Sequence, residues 1–122
     1  MSYKVRTIPH FEKALKRLAK KYPSLKMEYV ALLDSLEKNP EQGTPLGNHC
    51  FKIRIAIASK GKGKSGGARV IIHVVVADKM VFLLDIYDKS EQESISEKEL
   101  AELLKMISVW FGIDTLTACP AR

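Results

Sequence analysis

The sequence lacks several features that would mark special classes of protein. Only two of its 122 residues are cysteines, Cys50 and Cys119, and they form no metal-ligand spacing, so we expect free thiols in a reducing compartment. No apolar run approaches the roughly 20 residues of a membrane span. Residues 1–6 lack the hydrophobic segment of a signal peptide. Together these absences predict a cytoplasmic protein with no membrane association.

Acidic residues are missing from the central part of the chain. Residues 42–77 carry six Lys or Arg and no Asp or Glu, whereas residues 78–122 carry five basic and nine acidic side chains. The net charge of the whole chain is +6 at pH 7. A positive charge concentrated in one region favours an anionic partner such as a nucleic acid.

Hydrophobic periodicity predicts an α+β fold with the element order βααβββα and a mainly antiparallel sheet. The predicted elements are a strand at 3–8, helices at 11–22 and 23–39, strands at 51–57, 68–76 and 80–88, and a last helix from Ser96 to Gly112. The two adjacent helices should form a hairpin on one sheet face, with the last helix C-terminal to the sheet. The glycines and proline of 43–47 predict a loop. We expect one domain over residues 1–112 and a C-terminal tail over 113–122.

Strand alternation gathers charged side chains on one face of the predicted sheet. If the turn at 77–79 is centred on Asp78, paired residues have numbers that sum to 156, and Arg69 lies opposite Tyr87. The polar members of this face are Lys52, Arg54, Arg69, His73, Asp85, Tyr87 and Lys89, and its aliphatic members include Ile71, Val75, Val81 and Leu83. We expect this face to point away from the core. A half-exposed sheet carries outward charges in any case, but so many cations on adjacent strands repel each other unless an anion binds.

A glycine-rich segment in the same region resembles a nucleotide-binding P-loop. Residues 58–65, Ala-Ser-Lys-Gly-Lys-Gly-Lys-Ser, differ from that motif at the first glycine. The P-loop needs a helix directly after its lysine. Residues 68–76 have instead the β-branched alternation of a strand. The segment is therefore interpreted as a flexible loop between two strands.

Three segments together resemble a known family. They are Cys50–Arg54 on one strand, residues 61–71 (Gly-Lys-Gly-Lys-Ser-Gly-Gly-Ala-Arg-Val-Ile) entering the next, and Leu84–Glu91 leaving the last. In these segments the chain resembles the RelE/ParE superfamily of bacterial toxins from type II toxin–antitoxin systems, in particular its HigB-like branch. The resemblance implies a metal-independent endoribonuclease that cleaves messenger RNA on the ribosome, inhibits translation and is neutralised by a cognate antitoxin protein. It implies no cofactor.

The same resemblance assigns catalytic roles to five residues. Arg69 matches the arginine that holds the scissile phosphate, and Lys52 and Arg54 match a basic pair on the neighbouring strand. Lys89 falls where RelE-like toxins place a second catalytic arginine. The tyrosine expected about six residues further on is replaced by Ile95, so a phenol would have to come from Tyr87. Neighbouring cations would lower the pKa of a Lys or Tyr, which makes Lys52, Tyr87 and Lys89 candidates for proton transfer.

Other charged residues have less specific roles. Contacts with ribosomal or messenger RNA are expected from Lys13, Lys16, Arg17 and Lys20 on the first helix, from Lys60, Lys62 and Lys64 in the loop, and from His73. His73 is alternatively a structural residue, and the helix cations are alternatively a solvated face. Asp85 either orients Arg69 or Lys89 or offsets their charge. Asp85 and Asp88 point to opposite faces, so no metal site is predicted.

The sequence is compatible with two other functions. It is also compatible with two different segments that would cover the charged face of the predicted sheet. A ParE-like relative would inhibit DNA gyrase by binding, without cutting RNA, and a plain RNA-binding module would need more stacking aromatics than Tyr87 alone. The aliphatic part of the face marks an interface. Either an acidic antitoxin or the chain's own C-terminal helix, with Trp110 and Phe111, would cover it.

Overall fold

The computed structural model describes residues 3–57, 67–92 and 94–111, with side chains to residue 107. Its elements are β1 (Lys4–Thr7), α1 (Pro9–Lys21), α2 (Leu25–Lys38), β2 (Thr44–Gly47), β3 (Cys50–Ile55), β4 (Ala68–Val75), β5 (Met80–Asp88) and α3 (Glu97–Phe111). The strands form one sheet in the order β1-β5-β4-β3-β2. Only β1, which is parallel to β5, departs from antiparallel pairing. The predicted α+β class, helical hairpin and C-terminal helix are confirmed.

The predicted loop at 43–47 is wrong, because Thr44–Gly47 forms a strand that pairs with β3. The proline that suggested a loop is tolerated since β2 is an edge strand, where a missing backbone donor breaks no ladder. Gly47, Asn48 and His49 all have positive φ values, of 91°, 52° and 58°, and reverse the chain into β3. The element order is therefore βααββββα.

The helical hairpin forms where the sequence pattern places it. Pro9 is the first residue of α1, a position that needs no backbone donor, and α2 ends at Lys38 just before Asn39-Pro40. The buried side chains of the hairpin are Phe11, Leu18, Leu25, Leu32 and Leu36. They pack against the sheet, and α1 contacts β5. The Tyr22 hydroxyl donates to the buried Asp88 carboxylate over 2.7 Å and ties the end of α1 to the end of β5.

The β4–β5 register changes once along its length. Near the carboxyl end of β5 the pairs Arg69–Tyr87 and Ile71–Asp85 follow the predicted sum of 156, but beyond a bulge the pairs are Ile72–Leu83 and Val74–Val81. Because one inserted residue reverses the alternation, Val81 and Leu83 share a face with Val74 and Ile72. Their predicted place on the face of Arg69 is therefore wrong.

The last helix begins with the predicted capping box. Ser96 Oγ accepts from the Glu99 N–H over 3.1 Å, and the Glu99 carboxylate accepts from the Ser96 N–H over 3.3 Å. Ile95 packs against the core, and the buried side chains of the helix are Leu100, Leu103, Leu104 and Ile107. The side chains of Trp110 and Phe111 lie outside the described part. Within that part, no helix combines the length and apolar character needed to cross a membrane.

Candidate active site

The predicted catalytic side chains lie in rows across three adjacent strands. Arg54 on β3 pairs with Arg69 on β4, and Arg69 pairs in turn with Tyr87 on β5. In the next row Lys52 pairs with Ile71, and Ile71 pairs with Asp85. Directly opposite residues on paired strands project to the same face. The sheet therefore brings Lys52, Arg54, Arg69 and Tyr87 together as the sequence predicted. The row Arg54–Arg69–Tyr87, together with Lys52 from the adjacent row, is called the basic row below.

The expectation that the face of the basic row points away from the core is wrong. Arg69 is 4% exposed and Tyr87 is 3% exposed, and every residue of β4 is buried. The aliphatic members Ile71 and Val75 are buried in the isolated chain, so no antitoxin is needed to cover them. On this side α3 lies against β5, with Leu103 and Met106 beside Tyr87 in a shared cleft. The chain's own fold supplies the cover.

The burial of Tyr87 changes the chemistry expected of its phenol. Burial raises its pKa above the usual value, and the Asp85 and Glu99 carboxylates raise it further, while only Arg69 lowers it. The predicted lowering of this pKa by neighbouring cations is therefore wrong. Its hydroxyl oxygen is buried and has no hydrogen-bond partner in the described parts of the chain. Such a phenol holds its proton at neutral pH and suits a proton donor better than a base.

The other predicted catalytic residues are more accessible. Arg54 is exposed and Lys52 is half-buried, so the basic row runs from solvent at β3 into the interior at β4. Lys89 is exposed directly after β5, where its backbone N–H donates to the Gly67 carbonyl over 3.1 Å. This bond joins the start of β4 to the end of β5. Lys60, Lys62 and Lys64 lie outside the described residues.

The four cations of α1 are exposed and, at positions i, i+3, i+4 and i+7, they lie along one face of the helix. Lys13 and Arg17 line a cleft of about 480 Å³ between α1, β5 and α3. Lys16 and Lys20 line a second cleft of about 630 Å³ between α1 and α2. Arg17 also pairs with Glu91 at 3.3 Å on the surface. An RNA that follows this face of α1 would contact all four cations.

His73 lies in the interior. It is fully buried, with Nδ1 3.4 Å from the Cys50 sulfur, and its Nε2 has no hydrogen-bond partner among the described residues. Burial, reinforced by the nearby His49, lowers its pKa to about 4, against a raising contribution from the Asn48 backbone. A neutral buried imidazole makes no contact with RNA in this conformation, so its predicted binding role gains no support.

A pair of residues that the sequence did not connect lies in the cleft that holds Lys13 and Arg17. His10 Nε2 at the start of α1 is 3.2 Å from Asp85 Oδ1 on β5. The same Asp85 oxygen accepts from the Ile86 N–H over 2.8 Å. Burial raises the pKa of Asp85, whereas His10 and the Ile86 N–H lower it. Seventy-five positions separate the two residues, and no local pattern could have linked them.

The acidic residues of β5 contact other groups of the chain. Asp88 accepts from Tyr22 and from both the N–H and the hydroxyl of Ser90, at 2.7 to 2.9 Å. Asp85 contacts His10 rather than extending the basic row. Within residues 3–57, 67–92 and 94–111, no group of three or more His, Cys, Asp or Glu side chains has the arrangement of a metal site.

Comparisons with known proteins agree with this architecture. The family model described as the RelE toxin of the RelE/RelB toxin–antitoxin system matches residues 10–117. A mutant of the E. coli toxin RelE in the free state has a similar structure, with a TM-score of 0.57 and 21% identity, over 88% of this chain and 99% of that chain. A chain of the toxin–antitoxin complex RelBE2 from Mycobacterium tuberculosis is also similar, with a TM-score of 0.51 and 17% identity. That match covers 72% of this chain and 92% of the other chain. At these identities the structural matches establish the fold.

Proposed function

This chain belongs to the RelE toxin family, and from that premise we propose that it is an endoribonuclease that cleaves messenger RNA on the ribosome without a metal ion. The toxin would thereby stop translation. We place it in the HigB-like branch, on the sequence segments that carry that resemblance, and in the cytoplasm, where ribosomes are found. The observation that carries the proposal is the basic row, which joins Arg54, Arg69 and Tyr87 across three paired strands.

The basic row provides two of the groups that phosphodiester cleavage needs, a phosphate-binding cation and a proton donor. Arg69 presents a planar guanidinium that can hold two phosphate oxygens and stabilise the charge that builds on them. Lys52 and Arg54 extend the positive field toward solvent, along the path by which RNA would approach. Tyr87 holds its proton because burial raises its pKa, and it would donate that proton to the departing 5′-oxygen. Lys89, which is exposed directly after β5, would serve as the second catalytic cation that the resemblance assigns.

Burial of Arg69 and Tyr87 requires that the active site open before RNA binds. Both side chains are less than 5% exposed, and a phosphate cannot reach a guanidinium that is covered. We propose that binding to the ribosome moves α3, the helix that lies against β5 on this side of the sheet. The exposed cations Lys13, Lys16, Arg17 and Lys20 would hold ribosomal RNA meanwhile, and Lys60, Lys62 and Lys64 are proposed to add contacts from the loop.

A cognate antitoxin is the proposed protein partner. The Mycobacterium tuberculosis relative was solved as a toxin–antitoxin complex, and this chain's net charge of +6 suits an acidic partner. The antitoxin need not supply the cover for Ile71 and Val75, because the chain covers them itself. Antitoxin binding would instead hold the closed arrangement or block the approach along Lys52 and Arg54.

Expression in cells without an antitoxin tests the proposal. We expect growth to stop together with protein synthesis, and messenger RNA to be shortened within the same interval. R69A should abolish both effects. R69K keeps the positive charge but loses the planar guanidinium that binds two phosphate oxygens at once, so it should retain partial activity. Intact messengers together with signs of DNA damage would refute the nuclease and favour gyrase inhibition.

A further inference from the structure

The cleft between α1, β5 and α3 contains the two groups of a histidine–carboxylate pair. His10 Nε2 lies 3.2 Å from Asp85 Oδ1, and the His10 side chain is 43% exposed while that of Asp85 is 12% exposed. The carboxylate is thus mostly enclosed and the imidazole is open to the cleft. This is the arrangement in which a carboxylate orients an imidazole and leaves its other nitrogen free to act.

Asp85 is held in place independently of His10. Its Oδ1 accepts from the Ile86 N–H over 2.8 Å. This edge of β5 is open, because β1 pairs with β5 only from Met80 to Leu83. Asp85 therefore occupies a sheet edge where it is fixed by its own backbone. A carboxylate fixed in this way can set the orientation of a flexible histidine on a neighbouring helix.

The cleft also brings the pair to the basic row. Tyr87 lines the same cleft as His10 and Asp85, and Tyr87 pairs directly with Arg69 on β4. A volume of about 480 Å³ falls within the range of small-ligand sites and is large enough for a nucleotide. A base, an acid and a phosphate-binding group therefore lie along one side of the sheet.

We propose that His10 is the general base of RNA cleavage and that Asp85 is its positioning residue, an inference that rests on the proposed nuclease function. The Nε2–H of His10 donates to Asp85, so Nδ1 accepts the proton of the ribose 2′-hydroxyl. The 2′-oxygen then forms a bond to phosphorus, and the bond from phosphorus to the 5′-oxygen breaks. Tyr87 gives its proton to that 5′-oxygen and regains one from the imidazolium through water. The products are a 2′,3′-cyclic phosphate and a free 5′-hydroxyl, with no net change in protons.

The test is single-turnover cleavage of ribosome-bound messenger by purified wild type, H10A, H10Q and D85N. Glutamine can still donate to Asp85 but has no basic nitrogen, so H10Q keeps the contact and removes the base. We expect H10A and H10Q to lose at least about 100-fold in cleavage rate, as for removal of a general base, with unchanged ribosome affinity. D85N should lose less. D34N, which alters an exposed carboxylate on α2 that lies outside the cleft, should cleave at the wild-type rate.

Two further measurements separate a base from a structural residue. Added imidazole should restore part of the activity of H10A and none of that of R69A. The rise of rate with pH in the wild type should flatten in H10Q. The other charged and titratable groups that line this cleft are Lys13 and Arg17 on α1, Asp85 and Tyr87 on β5, and Glu99 and Glu102 on α3. The pH dependence of variants at these positions is measured for comparison.

The outcomes distinguish this inference from the function on which it rests. Wild-type cleavage that H10A and H10Q retain in full, while R69A loses it, would overturn the role of His10 and leave the nuclease intact. A wild-type protein that cuts no messenger would overturn the nuclease itself. If H10A is unfolded by circular dichroism, H10Q and imidazole rescue decide the question, and a folded H10Q with wild-type rate refutes the proposal.

Discussion

Acidification should destabilise this protein through His73, and the size of the effect follows from its burial. The imidazole is fully buried, and its pKa is lowered from 6.5 to about 4. The imidazole of the unfolded chain therefore becomes protonated near pH 6.5, whereas that of the folded chain becomes protonated only near pH 4. Stability contributed by the neutral ring is present above pH 6.5, and it is lost as the pH falls through the interval between these two values.

The expected loss can be worked out from that interval. Each pH unit across which only the unfolded state is protonated costs up to about 1.4 kcal/mol. Between pH 7 and pH 4.5 the free energy of unfolding should therefore fall by about 2.5 kcal/mol on account of His73 alone. That is a large share of the 5–15 kcal/mol, roughly, that a typical domain possesses.

Urea titrations of wild type, H73L and C50A at several pH values provide the assay. H73L removes the titrating ring, so its stability should fall by about 2.5 kcal/mol less than that of the wild type over the same pH change. C50A removes the sulfur 3.4 Å from Nδ1 but keeps the imidazole, and it should keep the wild-type pH dependence at a lower overall stability. Equal pH dependence in wild type and H73L would refute the reasoning.

Three further changes test other parts of the account. Y22F deletes the hydroxyl that donates to the buried Asp88, and urea unfolding should show a loss of about 2 kcal/mol, since bonds to charged groups contribute that much; an unchanged midpoint would mean that water replaces the hydroxyl. S96A breaks the capping box of α3 and should cost about 1 kcal/mol in thermal unfolding, whereas S94A, outside the box, should not. Joint neutralisation of the α1 cations should weaken ribosome binding and flatten its salt dependence, because fewer counterions are released; an identical slope would limit those charges to solubility.

Local patterns predicted the elements that depend on neighbouring residues. Pro9 and the Asn39-Pro40 pair bounded the hairpin, and Ser96 with Glu99 located the start of α3. The tight turn before β5 was enough to predict that Arg69 lies opposite Tyr87. These features are set by backbone geometry within a few residues, which a single sequence records.

Features that depend on distant contacts were not predictable. No residue type marks the bulge that moves Val81 and Leu83 to the other face, and Pro45 signals a loop as readily as an edge strand. The burial of Arg69 depends on packing against this side of the sheet, which strand alternation does not report. The contact between His10 and Asp85 joins the start of α1 to β5 and likewise required the folded structure.

The most direct test of the nuclease function is a reconstituted translation reaction with purified ribosomes, one defined messenger and the purified protein. Primer extension on that messenger reports where it is cut. We expect wild type to cut only messenger that is bound to ribosomes, and R69A to lose roughly 10²–10³ in rate while circular dichroism shows that it is still folded. An uncut messenger with wild type, or equal cutting by a folded R69A, would contradict the account.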